Sequence, residues 1–139
     1  MCTVSWIHDK DGYQLLCNRD EKLTRKSALE PRLAVRSGTR FLAPVDGDFG
    51  GTWIATNEFG VSLCLLNGPN SRSAKATRSR GLLALDLIPL PSIADICDRV
   101  ADTDLSVFAP FTMAALEPGG PAAILKWEGS KQTIHIEQA

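Results

Sequence analysis

Residues 1–21 read MCTVSWIHDKDGYQLLCNRDE. Residues 2–7 are rich in β-forming side chains, residues 8–12 end in the Asp-Gly pair typical of a hairpin turn, and residues 13–18 form a second apolar run. This pattern predicts a β-hairpin. In such a hairpin Cys2 lies opposite the residues near 18 and 19, so the polar run at 18–21 is expected beside the first cysteine.

Cys2 is the first candidate functional residue. If the initiator Met is removed, as is usual before a small side chain, Cys2 carries both a thiol and a free α-amine. A thiol has a reference pKa of about 8.5 and an α-amine one of about 7.7–8.0. The amine can therefore accept the proton of the thiol near neutral pH, which is the N-terminal form of nucleophilic catalysis.

The polar run Asn18-Arg19-Asp20-Glu21 is the second candidate feature. Arg19 can lower the pKa of a nearby thiol and bind a carboxylate or carbonyl, and Asp20 can orient Arg19 or the α-ammonium group. Neighbouring strand residues face opposite sides, so only one of Asn18 and Arg19 can point towards Cys2. The sequence leaves that choice open, and it also allows a plain polar turn, with Glu21 as its most ordinary member.

A second hairpin is predicted from residues 50–56, a turn at 57–60 and a buried strand at 61–67 that ends in Asn67. An amide in that place can donate a hydrogen bond to a developing oxyanion, although an Asn before Gly68 is also a common turn residue. Residues 22–50 contain Pro31, Pro44 and Gly47, and they predict a long irregular segment that shapes a pocket.

The remaining segments predict helices and then strands. Apolar residues at 82–87 indicate a buried helix, and Ser92 with Asp95 forms a capping box before an amphipathic helix with apolar positions at 93, 96, 97, 100 and 101. Strands are predicted over 108–116, 122–127 and 132–136. The order of strands, helices and strands predicts an α+β fold in one domain over residues 1–139, with helices packed on a sheet.

Composition excludes several classes of protein. The net charge of −1 and the pI of about 6.1 argue against a nucleic-acid partner. No apolar run reaches a membrane-spanning length of about 18 residues. The four cysteines form no Cys-x-x-Cys pair and make no zinc spacing with His8 or His135, so we expect no metal and no cofactor. The absence of a signal peptide pattern and the free thiols predict a cytoplasmic protein.

Basic residues concentrate in two stretches, which are either solvated loops or a rim that attracts an anionic substrate. The first stretch contains Lys22, Arg25, Lys26, Arg32, Arg36 and Arg40, and the second contains Arg72, Lys75, Arg78 and Arg80.

Three motifs together resemble the NRDE family, also called the transport and Golgi organisation protein 2 family: Met1-Cys2, the run at 18–21, and Gly50-Gly51-Thr52-Trp53. A more distant similarity connects Met1-Cys2-Thr3, Asp11-Gly12, the turn at 57–60 and Asn67 with choloylglycine hydrolases and penicillin V acylases. The resemblance implies an αββα sandwich like that of the N-terminal-nucleophile (Ntn) hydrolases. Relatives are considerably longer, so we expect an incomplete sandwich. A truncated chain, a minimal member and a fold completed by a homo-oligomer remain open.

The resemblance also implies a function. Cys2 would be the nucleophile, Arg19 and Asp20 its supporting residues, and Asn67 the oxyanion donor in hydrolysis of a linear amide or acyl bond. The candidate substrate-binding residues are Asn18, Glu21, Arg25 and Trp53. The alternative is a non-enzymatic carrier or trafficking factor that handles haem, lipid or acyl-CoA in Golgi organisation or secretion. Either way the expected partner is a small molecule, and for the carrier an anionic amphipathic one.

Overall fold

The computed structural model describes residues 2–68 and 75–138. Its strands are β1 (Thr3–Asp9), β2 (Gly12–Asn18), β3 (Leu29–Arg36), β4 (Thr39–Val45), β5 (Ile54–Asn57), β6 (Ser62–Asn67), β7 (Phe111–Leu116), β8 (Ala122–Trp127) and β9 (Gln132–Glu137). Its α-helices are α1 (Arg80–Leu87) and α2 (Ile93–Ala101), and a short 3₁₀ turn covers Leu105–Val107. No helix in these described ranges is long and apolar enough to cross a membrane.

The predicted first hairpin is confirmed. Strands β1 and β2 pair antiparallel from Thr3 opposite Asn18 to Asp9 opposite Gly12, and this register continues to bring Cys2 beside the end of β2. The carboxylate of Asp9 accepts a hydrogen bond of 2.8 Å from the backbone N–H of Asp11, which closes the turn.

The other seven strands form one antiparallel sheet in the order β3-β4-β5-β6-β7-β8-β9. The prediction of an irregular segment over 22–50 was therefore wrong, because β3 and β4 lie within it. Strand β3 is at the sheet edge and almost all of its side chains are exposed, so it lacks the alternation that marks a half-buried strand. The overlooked signal was Ser37-Gly38, whose φ angles of 50° and 78° form the tight turn between the two strands.

Both predicted helices are confirmed, and they pack on one face of this sheet. The hydroxyl of Ser92 accepts a hydrogen bond from the backbone N–H of Asp95 and so caps α2 as the sequence indicated. Leu87 of α1 and Ile96 of α2 are fully buried in one cluster with Met113 of β7, which is also fully buried. This face holds the main hydrophobic core.

The hairpin β1–β2 packs on the opposite face of the sheet. Trp6, Tyr13 and Leu15 contact a small buried cluster of Ala114, Leu116 and Ala122. The Tyr13 hydroxyl donates to the carbonyl of Gly60 at 2.5 Å and lies 2.7 Å from the Ser62 hydroxyl. The described residues thus form three layers, namely helices, sheet and hairpin, in an α+β arrangement.

Candidate active site

A cavity of about 360 Å³ lies where β2 and β6 end and α1 begins. The hairpin layer and the helix layer meet there. Six of the eight site residues predicted from the sequence line it, and these are Cys2, Arg19, Glu21, Arg25, Trp53 and Asn67. The fold therefore gathers side chains that are up to 65 positions apart in the chain into one pocket.

The Cys2 thiol sits against the backbone of Asp20. The backbone N–H of Asp20 donates to Cys2 Sγ at 3.5 Å, and Sγ lies 3.8 Å from the carbonyl oxygen of the same residue. The backbone of Asp20 therefore fixes the position of the sulfur at the cavity. The thiol is half-buried, so a reagent or substrate in the cavity can reach it.

The carboxyl group of Asp20 is exposed and is not part of the cavity lining. The pKa of this carboxyl lies below its ordinary value, first because it accepts a hydrogen bond from the terminal ammonium group of the chain and then because of the charge on that group.

The cavity lining shows which of Asn18 and Arg19 faces Cys2. Asn18 pairs with Thr3 at the end of the hairpin, is exposed and does not line the cavity, whereas Arg19 lines it together with Cys2. The Arg19 guanidinium lies 4.2 Å from the ring centre of Trp53 in a cation–π contact, and it makes a long ion pair of 3.8 Å with Glu21.

Asp46 is a functional-site residue that sequence reasoning missed. Its Oδ2 accepts a hydrogen bond of 2.9 Å from Arg19 and another from Arg25, and its Oδ1 accepts the backbone N–H groups of Asp48 and Phe49, each at 2.9 Å. Burial raises the pKa of the Asp46 carboxyl, but these hydrogen bonds outweigh it and leave the pKa below the ordinary value. The Asp-x-Asp spacing indicates the local turn, but nothing in it indicates the two arginines.

Arg25 is held on several sides. Besides its contact with Asp46, its Nε lies 2.9 Å from Asp48 Oδ2, in an ion pair whose angle is not that of a hydrogen bond. Its guanidinium also lies 5.1 Å from the ring centre of Phe49. Arg25 was predicted to bind substrate, but most of its interactions are made with other residues of the pocket wall.

The Gly-Gly-Thr-Trp motif places Trp53 by a close backbone approach. A Cβ atom added at Gly51 would lie 2.5 Å from the carbonyl carbon of Gly81, at the start of α1. The backbone N–H of Thr52 donates to the carbonyl of Gly81 at 3.2 Å. Because both contact positions are glycine, the segment just before β5 can lie directly on the start of α1. This contact fixes the distance between Trp53 and the start of the helix.

The second basic stretch supplies the opposite wall. Arg78 pairs with Asp86 at 2.8 Å, and Arg80 donates to the carbonyl of Pro110 at 2.7 Å. Arg72 lies outside the described residues. Both Arg78 and Arg80 line the cavity. Attraction of an anionic substrate by this stretch stays a prediction.

Two further cysteines lie close to Cys2. Cys64 on β6 is fully buried. Burial first, then the neighbouring Cys17 thiol and finally Cys2, raise its pKa far above the ordinary thiol value. Cys64 is therefore held as a neutral thiol, and Cys2 is the cysteine that lines the cavity. In the two described ranges no group of three or more His, Cys, Asp or Glu side chains is arranged to hold a metal ion.

Comparison with solved structures identifies the class of fold. The chain is similar to penicillin V acylase from Agrobacterium tumefaciens, with a TM-score of 0.62 over 98% of this chain and 49% of that one. It is also similar to the C2A mutant of the conjugated bile acid hydrolase from Clostridium perfringens, with a TM-score of 0.70 over 99% of this chain and 51% of that one. Sequence identity is 14% in each case, so the likeness shows the fold, which is that of the Ntn hydrolases.

The sequence identifies the family. The model of the transport and Golgi organisation 2 family matches residues 1–137, so the chain belongs to that family. No curated protein sequence matches the chain. The chain spans about half the length of the solved structures it resembles. Family and fold, as the motifs implied, are thereby confirmed.

Proposed function

We propose that the protein is an N-terminal-nucleophile cysteine hydrolase of linear amide or related acyl bonds, with Cys2 as nucleophile once Met1 is removed. The observation that carries this proposal is the position of the Cys2 thiol, which lines the cavity and accepts the N–H of Asp20. The Ntn-like fold supports it.

The catalytic sequence starts with the free α-amine of Cys2, which takes the thiol proton. The sulfur attacks the carbonyl carbon and the carbonyl oxygen becomes an oxyanion. The side-chain amide of Asn67, at the end of β6 and in the lining of the same cavity, donates to that oxyanion. The protonated amine then passes its proton to the leaving group, and water releases the acyl group from sulfur in a second cycle of the same steps.

Asp20 and Arg19 have positioning roles in this scheme. The Asp20 carboxylate holds the α-amine of Cys2 after Met1 is lost, since the backbone of Asp20 already lies against Cys2. Arg19 is fixed by Asp46 and Trp53 and presents positive charge to the cavity beside Cys2. This charge attracts electron-rich groups of a substrate.

The test is made on protein produced in cells. Intact-mass analysis should show quantitative loss of Met1, and a panel of N-acyl amides should be hydrolysed at a rate that falls by at least about a hundredfold in Asn67→Ala and to background in Cys2→Ala. The matched control is Cys97→Ala, on α2 and outside the cavity lining, which should retain wild-type rates. Retention of Met1, or equal rates in the Cys2→Ala variant, would refute the hydrolase.

A second candidate function is a non-enzymatic carrier, which the family name and the four cavity arginines favour. A carrier binds its anionic amphipathic ligand whether or not Cys2 is present. Unchanged binding of haem or an acyl-CoA by Cys2→Ala, together with no turnover of any acyl amide by the wild type, would select the carrier.

A further inference from the structure

The charges around the cavity are not evenly paired. Four arginines line it, namely Arg19, Arg25, Arg78 and Arg80, but only two carboxylates do, Glu21 and Asp46. Three of the arginines have a close carboxylate partner, since Arg19 and Arg25 share Asp46 and Arg78 pairs with Asp86 outside the lining. Arg25 also pairs with Asp48, and Asp86 is shared with Arg36, so the carboxylates near the cavity already have close arginine partners.

Arg80 is the cavity arginine for which the described residues provide no close carboxylate. In the part of the chain that the structure describes, its one hydrogen-bond partner is the carbonyl oxygen of Pro110, through Nη1, and no carboxylate pairs with it. A guanidinium carries five N–H donors and keeps its charge at all ordinary pH values. Arg80 is also half-buried, so its charge has lost part of its hydration and its remaining donors have no carboxylate in exchange.

We propose that Arg80 binds an oxyanion, such as a carboxylate, on the molecule that occupies the cavity. The proposal rests on the hydrolase described above in one respect, because it makes this anion part of the substrate whose acyl bond Cys2 attacks. The group is held by charge-assisted hydrogen bonds from the free guanidinium edge.

The rest of the lining suits the remainder of such a molecule. Trp53, Phe49 and Leu65 supply apolar surface in the same cavity, so an apolar body with one terminal anion matches both kinds of wall. The substrate class is accordingly an amphipathic anion. Its acyl or amide bond lies either between its apolar part and the anionic group at Arg80 or next to these two parts.

Glu21 acts against this anion. Its carboxylate lines the cavity, attracts Arg80 electrostatically and pairs only loosely, at 3.8 Å, with Arg19. A bound oxyanion must compete with it for Arg80. Neutralising Glu21 should therefore strengthen anion binding, which is the opposite of what a residue that binds the substrate directly would do.

The experiment compares two ligands of nearly the same shape, 4-phenylbutyrate and its neutral amide 4-phenylbutyramide, by isothermal titration calorimetry. The Cys2→Ala protein is used, so that chemistry at sulfur plays no part. Phenylbutyrate should bind about tenfold tighter than the amide. Arg80→Gln should reduce this preference to less than about twofold, Arg80→Lys should keep part of it, and Glu21→Gln should increase it.

The matched control is Arg99→Gln, an exposed arginine on α2 outside this cavity, which should leave the preference unchanged. Far-UV circular dichroism confirms that each variant is folded. Equal binding of the two ligands, including no binding of either, overturns the proposal, and so does a preference that survives Arg80→Gln in the folded protein. Charge-dependent binding without hydrolysis supports the Arg80 site and removes the hydrolase, whereas hydrolysis without charge-dependent binding removes the Arg80 site alone.

Discussion

The two faces of the seven-stranded sheet are covered very differently. On one face α1 and α2 build the main core, in which residues such as Leu87 and Met113 are fully buried. On the other face two strands cover a small cluster around Leu116, and beyond them Leu33 and Val35 are 78% and 67% exposed. We call the β1–β2 hairpin side the thin layer and the α1–α2 side the thick layer. Cys2 and Arg19 belong to the thin layer, and Arg80 belongs to the thick layer. The main core and the Cys2 thiol thus belong to different layers, and both layers contribute side chains to the cavity lining.

The largest effect is expected from a cavity in the thick layer. Leu87→Ala removes a fully buried side chain of α1 and should lower the free energy of unfolding by about 2–5 kcal/mol, because the surrounding core cannot close the space. Urea unfolding followed by circular dichroism measures this change. The matched control is Leu82→Ala on the same helix, where the side chain is only half-buried and the loss should be clearly smaller. Equal losses in the two variants would contradict the assignment of the main core to this face.

The thick layer was also the easier one to predict from sequence. The Ser92 cap and the helical spacing of Ile93, Ile96 and Val100 are local signals, and both helices and the buried strand β6 follow from them and from apolar runs. The edge strand β3 carries no such pattern, because almost all of its side chains are exposed. Strand β4 does alternate between buried and exposed residues, but Pro44 and Gly47 made its segment resemble a loop.

The candidate site was predictable where it depends on hairpin register and on motifs. The Asp-Gly turn fixes the pairing that brings Cys2 beside Arg19. The contacts of Asp46 with two arginines and of Gly51 with Gly81 join segments 21–30 positions apart. Such contacts depend on how the layers stack, and neither local propensity nor spacing encodes that stacking.

The next effect concerns the link between the thin layer and the sheet. Asp46→Asn should cost about 1–3 kcal/mol, because it leaves Arg19 and Arg25 in a half-buried wall without their carboxylate. The pH dependence has a definite sign. The pKa of Asp46 is lower in the folded protein than in the unfolded chain, so its contribution is complete above the ordinary Asp pKa of about 3.9 and is lost as pH falls through the lower folded value.

Unfolding curves of the wild type and of Asp46→Asn between neutral pH and pH 2 measure this dependence. The difference in free energy of unfolding between the two proteins should be constant above about pH 5 and should shrink at lower pH. A difference that grows as the pH falls would contradict the ion-pair assignment. Asp98→Asn, an exposed residue of α2 away from the cavity, serves as the control and should show little difference at any pH.

A smaller effect is expected at the other anchor of the hairpin. Tyr13→Phe removes the hydroxyl that donates to Gly60 and contacts Ser62, while the ring stays in place, so the loss should be about 0.5–1.5 kcal/mol. Hydrogen exchange measured by mass spectrometry should show that Tyr13→Phe, compared with the wild type, speeds exchange more in residues 3–18 than in α1 and α2. If exchange rises equally in the helices, the hairpin is not a separately anchored layer and the comparison of the two faces fails.

The smallest effect is expected where the thin layer leaves the sheet uncovered. Val35→Thr preserves β-branching on β3 and changes a side chain that is mostly in water, so the free energy of unfolding should change by less than about 0.5 kcal/mol. Val61→Thr, fully buried beside β6, is the matched substitution, and it should cost several times more because a hydroxyl enters the core. Both values are to be measured at two protein concentrations. A loss of stability in Val35→Thr that appears only at the higher protein concentration would mean that a second copy of the chain covers this face. The comparison of the two faces would then hold only for the single chain.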